Sequence, residues 1–447
     1  MNKSKYFLIP FYFGLMLCLS LGLMGVNGYS ETGKIITLYQ NGPSLVVENE
    51  KVKLEEGLNG LTRPVPGSVV AETVFATSPE ATLRTSEIIS AIDSESKLLK
   101  ELIGTTVSVV KSKDSGTLVT GTLVNVLNGR PLLRTSDGKM RLIRNPGEYR
   151  FDKLSADDMD ARLELNIMAP VETRTKLTIG YQLSGLNWSP QYVGFLDEEK
   201  GTLNLQGIAH ISNRTGWNFR GVRLRLLAGK PKREESDIQL FAAARTNSKP
   251  ESSRPEKVFE YYRYKIGFPV NLSSGVEKQV KFLQEDSVNY RKYYLFEPYS
   301  SSAVKTMVEL DNKEESGLGL PIASGTIRIY EASPDKTFLG ADSLPNLPVG
   351  RKAELELGDA FDVKGERKRT SHEKVAEGIW KDRIEITLEN KKDKSVKVLI
   401  EDKLPGDWKI IQSSHDYEKV DSRIISYEES ISEGGSIEIS YVVQYKL

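Results

Sequence analysis

The chain has 447 residues, with 61 Lys and Arg against 61 Asp and Glu, so its formal charge is zero. That balance argues against bulk electrostatic binding to nucleic acid or anionic lipid, both of which favour a basic field. Cys18 is the only cysteine, so an internal disulfide is excluded, and a chain cleaved after Gly28 has no thiolate for a metal site either.

At the amino terminus, Lys3 and Lys5 precede an uncharged, mostly apolar run from Tyr6 to Met24, followed by the small polar stretch Gly25 to Ser30. This is the layout of a signal peptide, residues 1–28, with cleavage expected at Val26-x-Gly28 or, two residues later, at Gly28-x-Ser30. A retained anchor helix is the other reading, since 19 residues just span a bilayer; only then is a membrane a partner. Leu15-Met16-Leu17 before Cys18 lacks the small residue that lipid attachment needs. The expected location is therefore extracytoplasmic: secreted, periplasmic or envelope-associated in a bacterium. Removing Lys3 and Lys5 from the 61 basic residues leaves 59 against 61 acidic.

Residues 31–80 read as an N-terminal strand unit, with Ile35 to Tyr39, a turn at Asn41-Gly42-Pro43, and strands at Ser44 to Val47, Lys51 to Leu54 and Val69 to Ala76. A helix is expected next, capped by Thr85 or Ser86 and carrying Ile88, Ile89, Ile92, Leu98, Leu99 and Leu102. It is too short for a coiled coil. Short strands from Thr105 to Ile143, with turns at Asn128-Gly129 and Asp137-Gly138, complete a unit over 84–150 that suits a small SH3-like barrel. Asp157, Asp158 and Asp160 crowd one segment, but their spacing is not that of a calcium loop, and a solvated turn is expected.

A central β domain is expected over 155–370, as an antiparallel sheet or sandwich. Leu177, Ile179, Tyr181 and Leu183 alternate, as do Leu203, Leu205, Gly207, Ala209 and Ile211, and Val222, Leu224 and Leu226. Period two marks strands with one buried face. Breakers stand between them at 184–190, 199–201 and 213–217. The order Tyr181, Gly185-Leu-Asn-Trp188-Ser-Pro190, Tyr192, Ile211-Ser-Asn213-Arg-Thr-Gly216-Trp217 and Leu227-Ala-Gly229-Lys-Pro231 resembles the bacterial domain-of-unknown-function family forty-one thirty-nine, whose relatives are often named mucoidy-inhibitor A-like. The likeness continues through Tyr261 to Tyr264, Tyr290 to Tyr294, Ser324 to Tyr330 and Ser440 to Tyr445. Relatives of the mucoidy-inhibitor type carry a long coiled coil that this chain lacks. The resemblance implies no catalytic residues. Trp188, Tyr192, Asn213, Gly216, Trp217 and Gly229 are its motif positions and are expected to be structural, with both tryptophans as core anchors folded back from turns.

From Lys232 to Lys257 the pattern dissolves into charged residues, Ser and Pro, which reads as a mobile surface insertion. The tyrosine-rich segment from Tyr261 to Tyr299 reads as cross-strand pairs rather than a sugar platform. Lys364 to Lys374, with Arg367-Lys368-Arg369, reads as an exposed loop. From 375 to 447, clean alternation at Ile384, Ile386, Leu388, Val396, Val398, Ile400 and Ile437 to Tyr445 suits an immunoglobulin-like sandwich whose core leans on Trp408 and tyrosines. The fold class is thus mainly β.

No catalytic, metal or cofactor motif stands out. His210, His372 and His415 are the only histidines and are far apart, and Ser94-x-x-Lys97 and Ser371-x-x-Lys374 lack the companion motifs of Ser-Lys enzymes. The reading is an exported, non-catalytic binding or structural module for an envelope protein or glycan. The alternative is a hydrolase acting on an envelope polysaccharide through carboxylates that no contiguous motif locates.

Overall fold

The computed structural model describes residues 33–111, 117–152, 154, 159–229, 231 and 254–446. The expected signal segment, Asp157 and Asp158, and residues 232–253 of the expected insertion lie outside these. Strand accounts for 66% of the chain and helix for 3%, so the protein is a mainly β, multi-sheet molecule. Among the described residues no helix is long and apolar enough to cross a membrane.

The first sheet has eight strands and joins the expected N-terminal strand unit to the expected central domain. Its order runs Glu256–Val258, Tyr261–Lys265, Phe219–Ala228, Ile35–Tyr39, Ser44–Leu54, Thr173–Leu183, Val69–Thr77, with Val270–Leu272 also on Phe219–Ala228. Ile35–Tyr39 lies parallel to Phe219–Ala228, Ile36 opposite Leu224 and Leu38 opposite Leu226. On the other side it turns at Gly42 (φ 81°) into an antiparallel pair with Ser44–Leu54. The stretch 31–80 does not stand apart: Ile35–Tyr39 and Ser44–Leu54 lie in the middle of this sheet, Val69–Thr77 is its edge strand, and Gly57–Pro64 joins a second sheet. Glu256 and Lys257, expected inside the insertion, are already ladder residues opposite Arg263 and Tyr262.

A three-stranded sheet, Gly57–Pro64, Arg162–Ala169 and Thr82–Ile89, shares the same core. Here the expected helix start is overturned: Leu83 to Ile89 pair with Arg162 to Ile167 as a strand. The helix is only Glu95–Glu101, capped by Ser94, whose hydroxyl accepts from the Lys97 backbone N–H at 3.3 Å. Five of the eight residues Thr82–Ile89 are polar or charged, so the strand shows no clean alternation and its aliphatic end, Ile88-Ile89, reads as the start of the following helix. The helix packs Leu99 and Leu102 onto a five-stranded antiparallel sheet, giving a small core with Val107, Val109, Leu123 and Leu133. Its strands run Pro146–Arg150, Thr106–Lys111, Leu118–Leu127, Arg130–Arg134, Met140–Leu142, and the two outer strands do not pair, so the expected barrel does not close. Asn128 (φ 51°) and Gly129 (φ 75°) form the tight turn that their sequence announced.

The largest sheet has thirteen strands and spans the central and C-terminal regions. Two of its strands are very long, Glu277–Phe296 at 20 residues and Lys352–Ala376 at 25. Val280, Phe282 and Val288 of the first belong to the main core, while Tyr294 and Phe296 belong to a second core made with Ile384, Ile400, Tyr427 and Tyr441. Ala353 and Leu355 of the other long strand divide from Ala360 and Val363 in the same way. Continuous backbone thus runs through both cores. At Gly365 the strand passes so close to Phe296 that a β-carbon would stand 2.7 Å from its ring, so only glycine fits. The C-terminal core lies between Lys352–Ala376, Ile379–Asn390, Ser436–Lys446 and Asp407–Ser413 on one side, and Val396–Lys403 and Ile424–Ile431 on the other. The charged stretch 364–374, expected as a loop, is strand: Arg367 faces Ile386 and His372 faces Asp382.

Candidate functional site

The motif residues singled out in the sequence turn out to hold sheets together. Trp188 and Pro190 lie within the strand Leu186–Asp197, not in a turn; the turn is confined to Ser184 and Gly185, whose φ is 82°. Pro190 is tolerated there because the parallel ladder to Gly325–Glu331 starts only at Gln191. The Trp188 ring is fully buried, edge-on to Phe282 (centroids 5.6 Å apart) and Tyr264 (6.5 Å). Tyr192 is equally buried and donates to the Ala323 carbonyl at 2.8 Å. Asn213 fixes the next turn, donating to the Trp217 and Leu272 carbonyls at 2.9 and 3.0 Å and accepting from the Thr215 backbone and hydroxyl. Gly216 supplies positive φ (78°), and Trp217 packs half-buried on the core. Gly229 (φ 120°) lies under Tyr261, where a β-carbon would meet the ring at 2.4 Å. Trp188, Tyr192 and Asn213 are thus buried and spent on packing and turn bonds, whereas Gly216 is exposed in its turn.

Polar chemistry gathers instead in the C-terminal unit. The Asp402 carboxylate is fully buried; its Oδ2 accepts from Arg367 Nε at 2.7 Å and from the Tyr441 hydroxyl at 2.5 Å. Burial and the Asp402 charge push the Tyr441 hydroxyl well above its usual range. Asp382, also buried, binds His372 Nδ1 at 2.6 Å and accepts from Tyr445 at 3.2 Å, with Arg369 at 3.6 Å. The His372 ring stacks on Trp380, centroids 4.5 Å apart and 7° from parallel. His210 pairs with Glu277 at 3.2 Å on another part of the sheet, and His415 bonds Ser414. The histidines are not brought together, and among the described residues no group of His, Cys, Asp and Glu could hold a metal ion.

Register organises this end into a row. Lys374 stands opposite Trp380, Trp380 opposite Tyr445, and Tyr445 opposite Trp408, so four adjacent strands line up one cation and three aromatic rings. Trp380 and Trp408 are half-buried at the margin of the core, and Lys419 sits 4.7 Å over the Trp408 ring. Sequence reasoning missed this row because Lys374 and His372 were placed in a loop. The alternation of Trp380 with Asp382 and Ile384 was the signal available.

A second cluster lies where Phe296 pairs with Ile400: Glu297 and Glu401 follow that pair on neighbouring strands. Burial opposes the Glu297 charge, but hydrogen bonds from Lys305 (2.9 Å) and Tyr299 (2.8 Å) outweigh it and hold the carboxyl below its usual range. Glu401 is pushed the other way, by burial first and then by Glu297, Glu354 and Asp421. Two grooves among the described residues are small. One of about 150 Å³ lies between Leu196, Lys292, Val308, Leu339 and Leu357, and one of about 30 Å³ beside Arg291 and Val398.

A family model described as Domain of unknown function (DUF4139) matches residues 177–446. The chain belongs to this family. Comparison with curated proteins gives no match. The DUF4139 match begins inside Thr173–Leu183 and contains the Trp188 centre, both long strands and the C-terminal unit, whereas Ile35–Tyr39, Ser44–Leu54 and Val69–Thr77, which complete its first sheet, lie outside it.

Proposed function

We propose that this DUF4139 protein is an exported, envelope-associated binding module, non-catalytic, whose partner is an envelope protein or glycan. The supporting observation is the row Lys374, Trp380, Tyr445, Trp408. Trp380 and Trp408 are half-buried at the core margin, with Tyr445 buried between them in register, and Lys374, Arg369 and Lys419 place charges beside them; such amphipathic rings suit contact with a partner that has both apolar and polar surface. The acid beside the row, Asp382, is engaged with His372, Tyr445 and Arg369, and farther along the strands Asp402 holds Arg367 and Tyr441 through Oδ2. The grooves are small beside the roughly 300–1,000 Å³ of small-molecule sites, which favours a surface over a pocket. Export rests on the amino-terminal sequence pattern.

One observation favours the hydrolase alternative. Glu297 and Glu401 are neighbouring carboxyls pushed in opposite directions, the pattern that separates a base from an acid. Passing fractionated wall and capsular glycans over the immobilised chain from Tyr29 onward separates the readings. Retention without new reducing ends, lost in Trp380→Ala with Trp408→Ala, supports the binding module. New reducing ends that disappear in Glu401→Gln replace it with the hydrolase.

A further inference from the structure

The outer face of the eight-stranded sheet carries a feature that the aromatic row does not explain. On Phe219–Ala228, Val222, Leu224, Leu226 and Ala228 face the core, so Arg223 and Arg225 point to the opposite face. Arg225 pairs with Lys265 on one side and with Thr37 on the other, and Leu227 pairs with Arg263, so Arg223, Arg225, Arg263 and Lys265 share one face of two adjacent strands, with Thr37 beside them on a third. Glu256 is the acid that neutralises part of this group, bonding Arg263 Nη2 at 2.6 Å and pairing with Lys265. Three positive charges remain for every acid in the group, on a chain whose overall charge is zero.

The donors are not used up. The Nε of Arg263 is buried and has no hydrogen-bond partner. Arg225 is half-buried, and among the described residues its guanidinium has no hydrogen-bond or ion-pair partner. Burial acts against its charge, with Arg263 and then Arg223 adding to the effect and Glu256 opposing it, so its affinity for the proton falls below the usual arginine range. Holding like charges together and leaving a buried N–H unpaired both cost free energy. An oxyanion removes both costs at once, because a carboxylate or phosphate accepts two parallel N–H bonds from a guanidinium fork.

We propose that Arg223, Arg225 and Arg263 form an oxyanion-binding site for a carboxylate or phosphate group. Thr37, opposite Arg225, stands at its margin, and Glu256 holds Arg263 in place without filling the fork. The site lies on a different sheet from the aromatic row, so its failure and the failure of the binding-module reading are separately visible.

The test is calorimetric titration of the chain from Tyr29 onward with sodium phosphate, sodium glucuronate and, as the uncharged control, glucose. Saturable binding of phosphate, glucuronate or both is expected, weakening with added chloride, with no response to glucose. Which anion saturates tells phosphate from carboxylate as the source. Arg225→Gln is expected to weaken it at least tenfold. Arg225→Lys, which keeps the charge but loses the fork, gives an intermediate loss and serves if the glutamine variant does not fold. Absence of saturable binding of either anion, or unchanged affinity in both variants, overturns the proposal.

Discussion

The indole N–H of Trp188 donates to the backbone carbonyl of Leu227 at 3.3 Å, and that one bond crosses from the thirteen-stranded sheet to the eight-stranded one. Around it Phe282 and Tyr264 meet edge to face at 4.9 Å. Trp188→Ala empties a fully enclosed site and removes the indole hydrogen bond to a ladder carbonyl. Its expected cost is about 3–5 kcal/mol, a large part of a typical stability of roughly 5–15 kcal/mol. Trp217→Ala, at a half-buried ring, is expected to cost clearly less. Denaturant unfolding of both variants checks the order; equal losses refute it.

Glu401 gives a pH dependence with a definite sign. Burial raises its carboxyl in the folded chain above the unfolded value, so the native state binds the proton more tightly. Stability therefore falls as pH rises through the interval from the unfolded to the folded pKa and stays reduced above it. Glu401→Gln removes the charge, so the variant is expected to melt above wild type at pH 7 and to converge with it near pH 4. Parallel melting curves across this range would show that burial of Glu401 does not matter.

How much of this was legible depended on where the charges went. Leu203 to Ile211 read correctly because every inward position is apolar or small, and the alternation is the burial pattern itself. The strand through Arg367 and Arg369 did not, because its inward partners are Asp402 and Asp382, so charge sits on both faces and the period vanishes. No local pattern could reveal that Ile36 lies beside Leu224. Parallel pairing across so long a separation leaves no turn signal. The arginine face was hidden likewise: Arg223 and Arg225 are visible as alternation, but Arg263 joins them only through the ladder.

The Arg367, Asp402 and Tyr441 network should behave as a unit. Asp402→Leu leaves the Arg367 guanidinium without its carboxylate inside the sandwich, and Arg367→Leu leaves Asp402 without its cation; each is expected to cost about 3–5 kcal/mol. Replacing both removes the uncompensated charge, so the double variant should be more stable than either single one. Urea denaturation of the four proteins closes the cycle. Additive losses would mean that the pair is not coupled.

The domain that the family model marks, 177–446, is not a complete folding unit in this chain. Its strand Phe219–Ala228 takes Ile35–Tyr39 as its parallel neighbour, and Thr173–Leu183 takes Ser44–Leu54 along its whole length, from Leu54 opposite Thr173 to Ser44 opposite Leu183. Ile36, Leu38, Val46 and Leu54 are all fully buried in the core that holds Trp188. A fragment beginning at Leu177 would expose that core and leave unpaired strand edges, a template for aggregation. Residues 177–446 produced alone are expected to be insoluble or to bind hydrophobic dyes. Co-expression with residues 33–176 should restore a soluble complex, since the missing strands then come from the second chain. A monomeric, cooperatively melting 177–446 fragment would show that the N-terminal strands are an accessory and that the C-terminal region carries its own complete core.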